Sequence, residues 1–237
     1  REYIKNELND DIILLYHTGP SGNQSPRHFT NSNTFDEAQR LGYMLGERII
    51  ESIKQLSESD FQEAVSLNIH SDNVMLPKRE FMSVIEAERK RIKAKEKLER
   101  LRENNASNTD IRTAEVDWFG AEENKQLAEM AVNGKLDKVY KSVLPAEISL
   151  ISIDKSSFIF LPGEIFVEYS LAIKEKTPNT YVASLSNGVL AGYIVTEEAE
   201  QEGGYEASNS IFPAKAGKVI VDKVLDMPKN NKEIEET

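Results

Sequence analysis

The spacing of apolar residues along this chain predicts its elements. Ile12-Ile13-Leu14-Leu15-Tyr16 is continuous and bounded by polar residues, which predicts a buried strand. A loop rich in Gly, Pro, Ser and Asn follows, from Thr18 to Asn33. Thr34 and Glu37 then form a capping box, after which Ala38, Leu41, Leu45, Ile49, Ile53 and Leu56 recur on one helical face. Gly42 and Gly46 lie one turn apart on that helix and would let it approach a sheet closely. Ala64 to Met75 predicts one or two short strands. Pro77 to Asn104 predicts a charged helix with Phe81, Ile85, Ile92, Leu98 and Leu101 as a thin apolar stripe. Asn104-Asn105 and Ser107-Asn108 break it, and a second helix runs from about Asp110 to Asn133. The pair predicts an antiparallel helical hairpin over about 78–133.

The later part of the chain alternates strands with helices. Glu147 to Ile153 and Ser157 to Leu161 predict two strands joined by the turn Asp154-Lys155-Ser156. A short helix is expected over Glu164 to Lys174, a strand over Tyr181 to Leu185, then a long loop. A helix from about Ala214 to Leu225 and a polar tail over 229–237 complete the pattern. This order predicts an α/β (α+β) fold, a mixed β-sheet sandwich flanked by helices with the hairpin inserted.

Composition narrows the function classes. With 40 acidic against 29 basic residues, binding to a phosphate backbone is disfavoured as the main task. The basic cluster Arg89 to Lys97 is interspersed with glutamates and fits a solvated, ion-paired helix face. No apolar run has the length of a membrane span. The absence of cysteine removes disulfides, thiolate catalysis and Cys-ligated zinc, and the chain has only three histidines. The chain opens at Arg1 with no signal peptide, which predicts a trimmed chain or an internal piece of a longer one and leaves the compartment open.

Three glycine-marked bends carry the candidate chemistry. Glu164 follows Pro162-Gly163 where an apolar run meets the expected helix. A carboxylate there is either simple charge placement at a helix N-terminus or a group kept ionised to bind a cation. Tyr193 and Tyr205 stand twelve residues apart in the long loop, as packing lids or as metal ligands and oxyanion donors. The loop Thr18 to Pro26 leaves the first expected strand, a place where α/β proteins put their chemistry, and it contains Ser25. His28 and His17 lie near Ser25 in sequence, so a metal-free Ser–His nucleophile pair is conceivable; His70 has no evident partner. Neither Gly-x-Ser-x-Gly nor His-Glu-x-x-His occurs.

Taken together, Gly22-Asn23-Gln24-Ser25-Pro26, Leu161-Pro162-Gly163-Glu164 and the stretch from Asn187 through Tyr193-Ile194-Val195-Thr196 to Tyr205-Glu206-Ala207-Ser208 resemble the neutral/alkaline, non-lysosomal ceramidase family. The matching part is the later half of its amino-terminal catalytic domain, here residues 1–228, and the central helices look like those of the shorter bacterial relatives. The resemblance implies a zinc amidase that cleaves the amide of an N-acyl, ceramide-like lipid to fatty acid and amine. The family's metal is held by two His, one Glu and one Tyr. Carried over by position, Glu164 and Tyr193 would be zinc ligands, Ser25 the active-site serine and Tyr205 the tyrosine near the scissile amide. The two histidines would come from outside this chain, in the preceding part of the same domain. A secreted or envelope location is implied as well. Asn23 stands where the family usually has Asp, which removes a charge beside Ser25. That substitution motivates the alternative of a catalytically silent relative that binds a ligand or partner.

Overall fold

The computed structural model describes residues 1–8, 12–26 and 29–228. The chain divides into two compact units, one of Arg1–His17 with Ser25–Ser66, the other of Thr18–Gln24 with Leu67 onward.

The first unit is built on helices α1 (Glu2–Leu8) and α2 (Phe35–Ile53). The Thr34 side chain accepts from the Glu37 N–H at 3.3 Å and starts α2. Glu37 does not complete the expected box. Its carboxylate instead accepts from the Asn31 N–H at 2.7 Å and from the Arg40 guanidinium at 2.6 and 2.8 Å. Bonding to Arg40, then to the Asn31 amide, holds that carboxyl down at about 2. The close approach allowed by Gly46 is made to the Tyr3 ring of α1, not to a sheet. The strand expected over Ile12 to Tyr16 does not form, and Ile13, Leu15 and Tyr16 are exposed. A buried strand needs a hydrogen-bonding neighbour, and the described residues of this unit contain none.

In the second unit, β1 (Leu67–Val74) leads to the helical hairpin α3 (Val84–Glu103) and α4 (Asn108–Val132). α3 starts later than the expected Pro77 because the Ser83 side chain caps it, accepting from the Glu86 N–H. Lys97–Asp117 and Arg102–Glu115, both at 3.0 Å, tie the two helices together along their polar faces. A helix absent from the sequence expectations, α5 (Lys135–Val143), follows. Then come β2 (Ala146–Ile153), β3 (Ser156–Phe160), β4 (Glu164–Ile165), α6 (Val167–Lys176) and β5 (Thr180–Ala183). The chain continues with β6 (Tyr193–Ile194), α7 (Glu197–Glu202), α8 (Tyr205–Ser208) and α9 (Lys215–Asp226).

The fold is α/β, with helices around a mixed four-stranded sheet of order β1-β2-β3-β5. β1, β2 and β3 are antiparallel neighbours, whereas β3 and β5 are parallel and joined through α6. Side chains alternate across the sheet. One face carries Ile148, Leu150, Ile159 and Val182, buried with Ile173 of α6 and Ile220 and Val224 of α9. On the other face, Ile69, Ile151, Phe158 and Tyr181 fall in one row across all four strands. The ends of this apolar row are open, Ile69 being 63% and Tyr181 55% exposed.

α6 and α9 meet where Gly217 faces the Tyr169 ring, and a Cβ at Gly217 would lie 1.9 Å from Tyr169 Cζ. The Tyr169 hydroxyl is shared between the carbonyls of Val195 and Ala214, at 2.8 and 3.0 Å, so the ring cannot swing away cheaply. Gly217→Ala is therefore expected to destabilise the protein by about 1–3 kcal/mol, checked by denaturant unfolding. The double variant with Tyr169→Leu should recover part of that loss.

Candidate metal and active site

The site forms at the carboxyl ends of the two parallel strands, the edge where α/β sheets place their ligands. From the end of β3, Leu161-Pro162-Gly163 leads into β4, and from the end of β5 the segment 184–192 leads into β6. β4 and β6 then pair in parallel, with Glu164 opposite Tyr193 and Ile165 opposite Ile194. Ile165 and Ile194 are buried in the core. Because strand side chains alternate, Glu164 and Tyr193 emerge side by side on the opposite side of this short ladder. Glu164 is exposed and Tyr193 half-buried. Burial first, then the charge of Glu164 and hydrogen bonding with it, push the Tyr193 hydroxyl up to about 12.

Glu164 therefore does not occupy the first turn of a helix. Helix α6 begins three residues later, at Val167, and the strand pairing rather than the helix dipole sets the environment of the carboxylate. The two tyrosines likewise lie in regular structure, not in one long loop. Tyr205 opens α8, and its ring stands edge-on to Tyr193 with centroids 6.2 Å apart. α8 is backed by α4, where a Cβ on Gly120 would come within 3.1 Å of Ser208 Oγ and 3.4 Å of Tyr205 Cα. Gly192 takes φ +73°, and a Cβ there would lie 1.9 Å from the Asn209 carbonyl oxygen. Only glycine allows this meeting of the entry to β6 with the segment after α8.

The segment Thr18–Gln24 is fastened across the same edge. The Ser184 N–H donates to the Thr18 carbonyl at 2.9 Å, and Ser184 Oγ to the Gly19 carbonyl at 3.0 Å. The Gly22 N–H donates to the Ile165 carbonyl at 2.9 Å, and a Cβ at Gly22 would lie 2.8 Å from the Glu164 carbonyl oxygen. Asn23 Oδ1 accepts from the first N–H of α6, that of Val167, at 3.0 Å. Its Nδ2 donates to both carboxylate oxygens of Glu168, each at 2.9 Å. Asn23 thus caps a helix 144 residues away while satisfying a carboxylate, a double role that Asp cannot fill.

The structure brings Glu164, Tyr193 and Tyr205 together. Ser25 follows the fastened segment in sequence, is exposed, and belongs to the first unit, as does His17. His28 lies outside the described residues, so the Ser25–His28 pairing does too. His70 stands on the edge strand β1, close enough to Asp72 to help hold that carboxyl below its ordinary range, after Lys223 and the Asn73 amide. Among the described residues, no three His, Cys, Asp or Glu side chains form a group that could hold a metal ion. Sequence reasoning missed Glu168, Ser210 and Arg79. No local motif marks them: Glu168 and Arg79 bond residues 145 and 128 positions away, and Ser210 bonds Tyr193, 17 positions away.

No protein-family model matches the chain. No curated protein and no solved structure matches it either.

Asn23→Asp would set one carboxylate against another and is expected to cost about 1–3 kcal/mol. Glu168→Gln in the same chain should restore most of that loss, giving a clear coupling in a double-mutant cycle of unfolding free energies. The raised Tyr193 hydroxyl has a pH signature as well. An unfolded tyrosine ionises near its ordinary value of about 10, while the folded one keeps its proton to about 12. Tyr193 therefore draws stability down as pH rises through that window. Glu164→Gln removes the charge but not the burial, so it should lower the Tyr193 value towards 10. Ultraviolet difference titration against Tyr193→Phe measures the change.

Proposed function

We propose that this chain is the later half of a ceramidase-like, zinc-dependent amide hydrolase domain. The observation that carries this reading is the β4–β6 register, in which residues 29 apart in sequence stand side by side as one carboxylate and one phenol. Tyr205, the third residue of the resemblance, has its ring against the second. Convergence of these three in one place is what the family pattern requires.

Glu164 and Tyr193 are oxygen donors of a kind zinc accepts, and together they make half of a four-coordinate shell. Two histidines from the preceding part of the same domain would complete it. The open apolar row Ile69, Ile151, Phe158 and Tyr181 suits such a part, because a sheet face of this kind packs against a second layer. When bound, zinc would act as a Lewis acid towards the amide carbonyl and lower the pKa of water.

The chain's own residues have separate tasks. Glu164 supplies negative charge to a cation. Tyr193 holds its proton to about 12, and as a ligand it would give up that proton or offer the phenol oxygen while keeping it. The Tyr205 hydroxyl would steady the oxyanion that develops on the amide carbonyl. By the resemblance, Ser25 would be the alternative nucleophile to water. The substrate is an N-acyl, ceramide-like lipid amide or another linear amide.

The rival reading, a silent relative that binds a ligand or partner, was motivated by Asn23. Its bonds to Val167 and Glu168 give that residue a structural reason independent of catalysis.

The test is metal content and amidase activity of a version that includes the preceding part of the domain. Glu164→Gln and Tyr193→Phe should each lower zinc affinity at least about tenfold, since even changes in a ligand's hydrogen-bonding partner cost that much. Activity should fall with it. Unchanged zinc occupancy in both variants would rule the assignment out.

A further inference from the structure

We propose that Arg79 is a positioning residue of this site, fastening the segment 205–210 so that the Tyr205 ring is held against Tyr193. The inference deepens the proposed function and rests on it only for the use to which the two tyrosines are put.

The geometry begins with the shortness of α8. A four-residue helix leaves most of its carbonyl groups without intrahelical partners, and such groups need donors from elsewhere. Arg79 supplies a donor to one α8 carbonyl, 128 residues away, and to one carbonyl just beyond the helix, 131 residues away. Its Nη1 donates to the Ala207 carbonyl at 2.6 Å and to the Ser210 carbonyl at 2.7 Å. The Arg79 N–H donates to the Ile211 carbonyl and to the Tyr140 hydroxyl, both at 3.2 Å. That hydroxyl donates in turn to the Ile211 carbonyl. Three successive anchor points, Ala207, Ser210 and Ile211, are thus held from residues 79 and 140.

The hold passes directly to the other tyrosine. Ser210 is 1% exposed, and its hydroxyl is shared between the carbonyls of Tyr193 and Phe212, each at 2.6 Å. One route therefore runs from the guanidinium to the Ser210 carbonyl, through the Ser210 side chain, to the backbone of Tyr193. A second runs through Ala207 to α8, whose first residue is Tyr205.

A role for the charge in an ion pair fits less well. Among the described residues Arg79 forms no salt bridge, although the nearby Glu200 favours its charged form against the effect of burial. Its guanidinium lies 5.3 Å from the centre of the Phe81 ring, so the side chain is held between that ring and the two carbonyls. Lysine would offer its donors from one tetrahedral nitrogen and cannot reproduce the planar guanidinium. Methionine would keep apolar contact with Phe81 and lose both bonds.

The experiment uses this chain without metal. In Arg79→Met, amide exchange at Ser208 and Asn209 should quicken at least about tenfold, and the ring-to-ring nuclear Overhauser contact between Tyr193 and Tyr205 should vanish. Amides of the four-stranded sheet serve as the internal reference and should exchange as in the parent, with Arg79→Lys intermediate. A folded Arg79→Met that keeps both the exchange rates and the ring contact would overturn the proposal. Should that variant fail to fold, Ser210→Ala breaks the route further along while leaving Arg79 in place. It must then weaken the same ring contact, and an unchanged contact would overturn the proposal equally. Neither readout involves zinc, so loss of the metal assignment would leave this result standing, and the reverse.

Discussion

Two backbone residues pairing with two others hold this site together. β4 and β6 are each only two residues long, yet their parallel register decides that Glu164 faces Tyr193 and that Ile165 and Ile194 go into the core. Strand periodicity makes these outcomes inseparable. A slip of one residue would bury the carboxylate and expose an isoleucine, and a buried unpaired charge is among the costliest errors a fold can make. The buried isoleucines thus specify the register, and the register specifies the chemistry.

Such a short ladder cannot hold itself, and the surrounding hydrogen bonds show how it is supported. The segment Thr18–Gln24 is tied to the end of β5, to Ile165 and to the start of α6. Tyr169 ties β6 and the approach to α9 together through the carbonyls of Val195 and Ala214. Ser210, Tyr140 and Arg79 tie the segment after α8. Direct backbone pairs from Ser184 and Gly22 are joined here by side chains, those of Asn23, Ser184, Tyr169, Ser210 and Arg79 among them, that bond main-chain groups. Buried carbonyls and amides that no helix or sheet satisfies are costly, and here they serve as the attachment points of the site.

Much of the fold was legible because its elements are long and periodic. The strands at 146–153 and 156–160, the helical hairpin and the last helix all follow from spacing alone. The errors share one cause, which is that periodicity reports apolar faces but not their partners. Ile12 to Tyr16 has a strand's composition and, among the described residues, no strand paired with it. Gly46 has the look of a sheet contact and meets Tyr3 instead. Glu164 reads as the start of a helix because an apolar run and Pro-Gly precede it, but the pairing that claims it lies 29 residues downstream. The candidate residues Glu164, Tyr193 and Tyr205 could be named from motifs, whereas their supports could not. Arg79, Glu168 and Ser210 are ordinary polar residues until the fold sets Arg79 and Ser210 against backbone carbonyls and Glu168 against the Asn23 side chain.

We propose that Glu164 and Tyr193 would bind one metal between them. Anomalous diffraction at the zinc edge tests it most directly, on crystals of a version that carries the preceding part of the domain. The account predicts a single strong peak within bonding distance of both the Glu164 carboxylate and the Tyr193 phenol oxygen. A peak bound to other residues, or none between these two at saturating zinc, would contradict it.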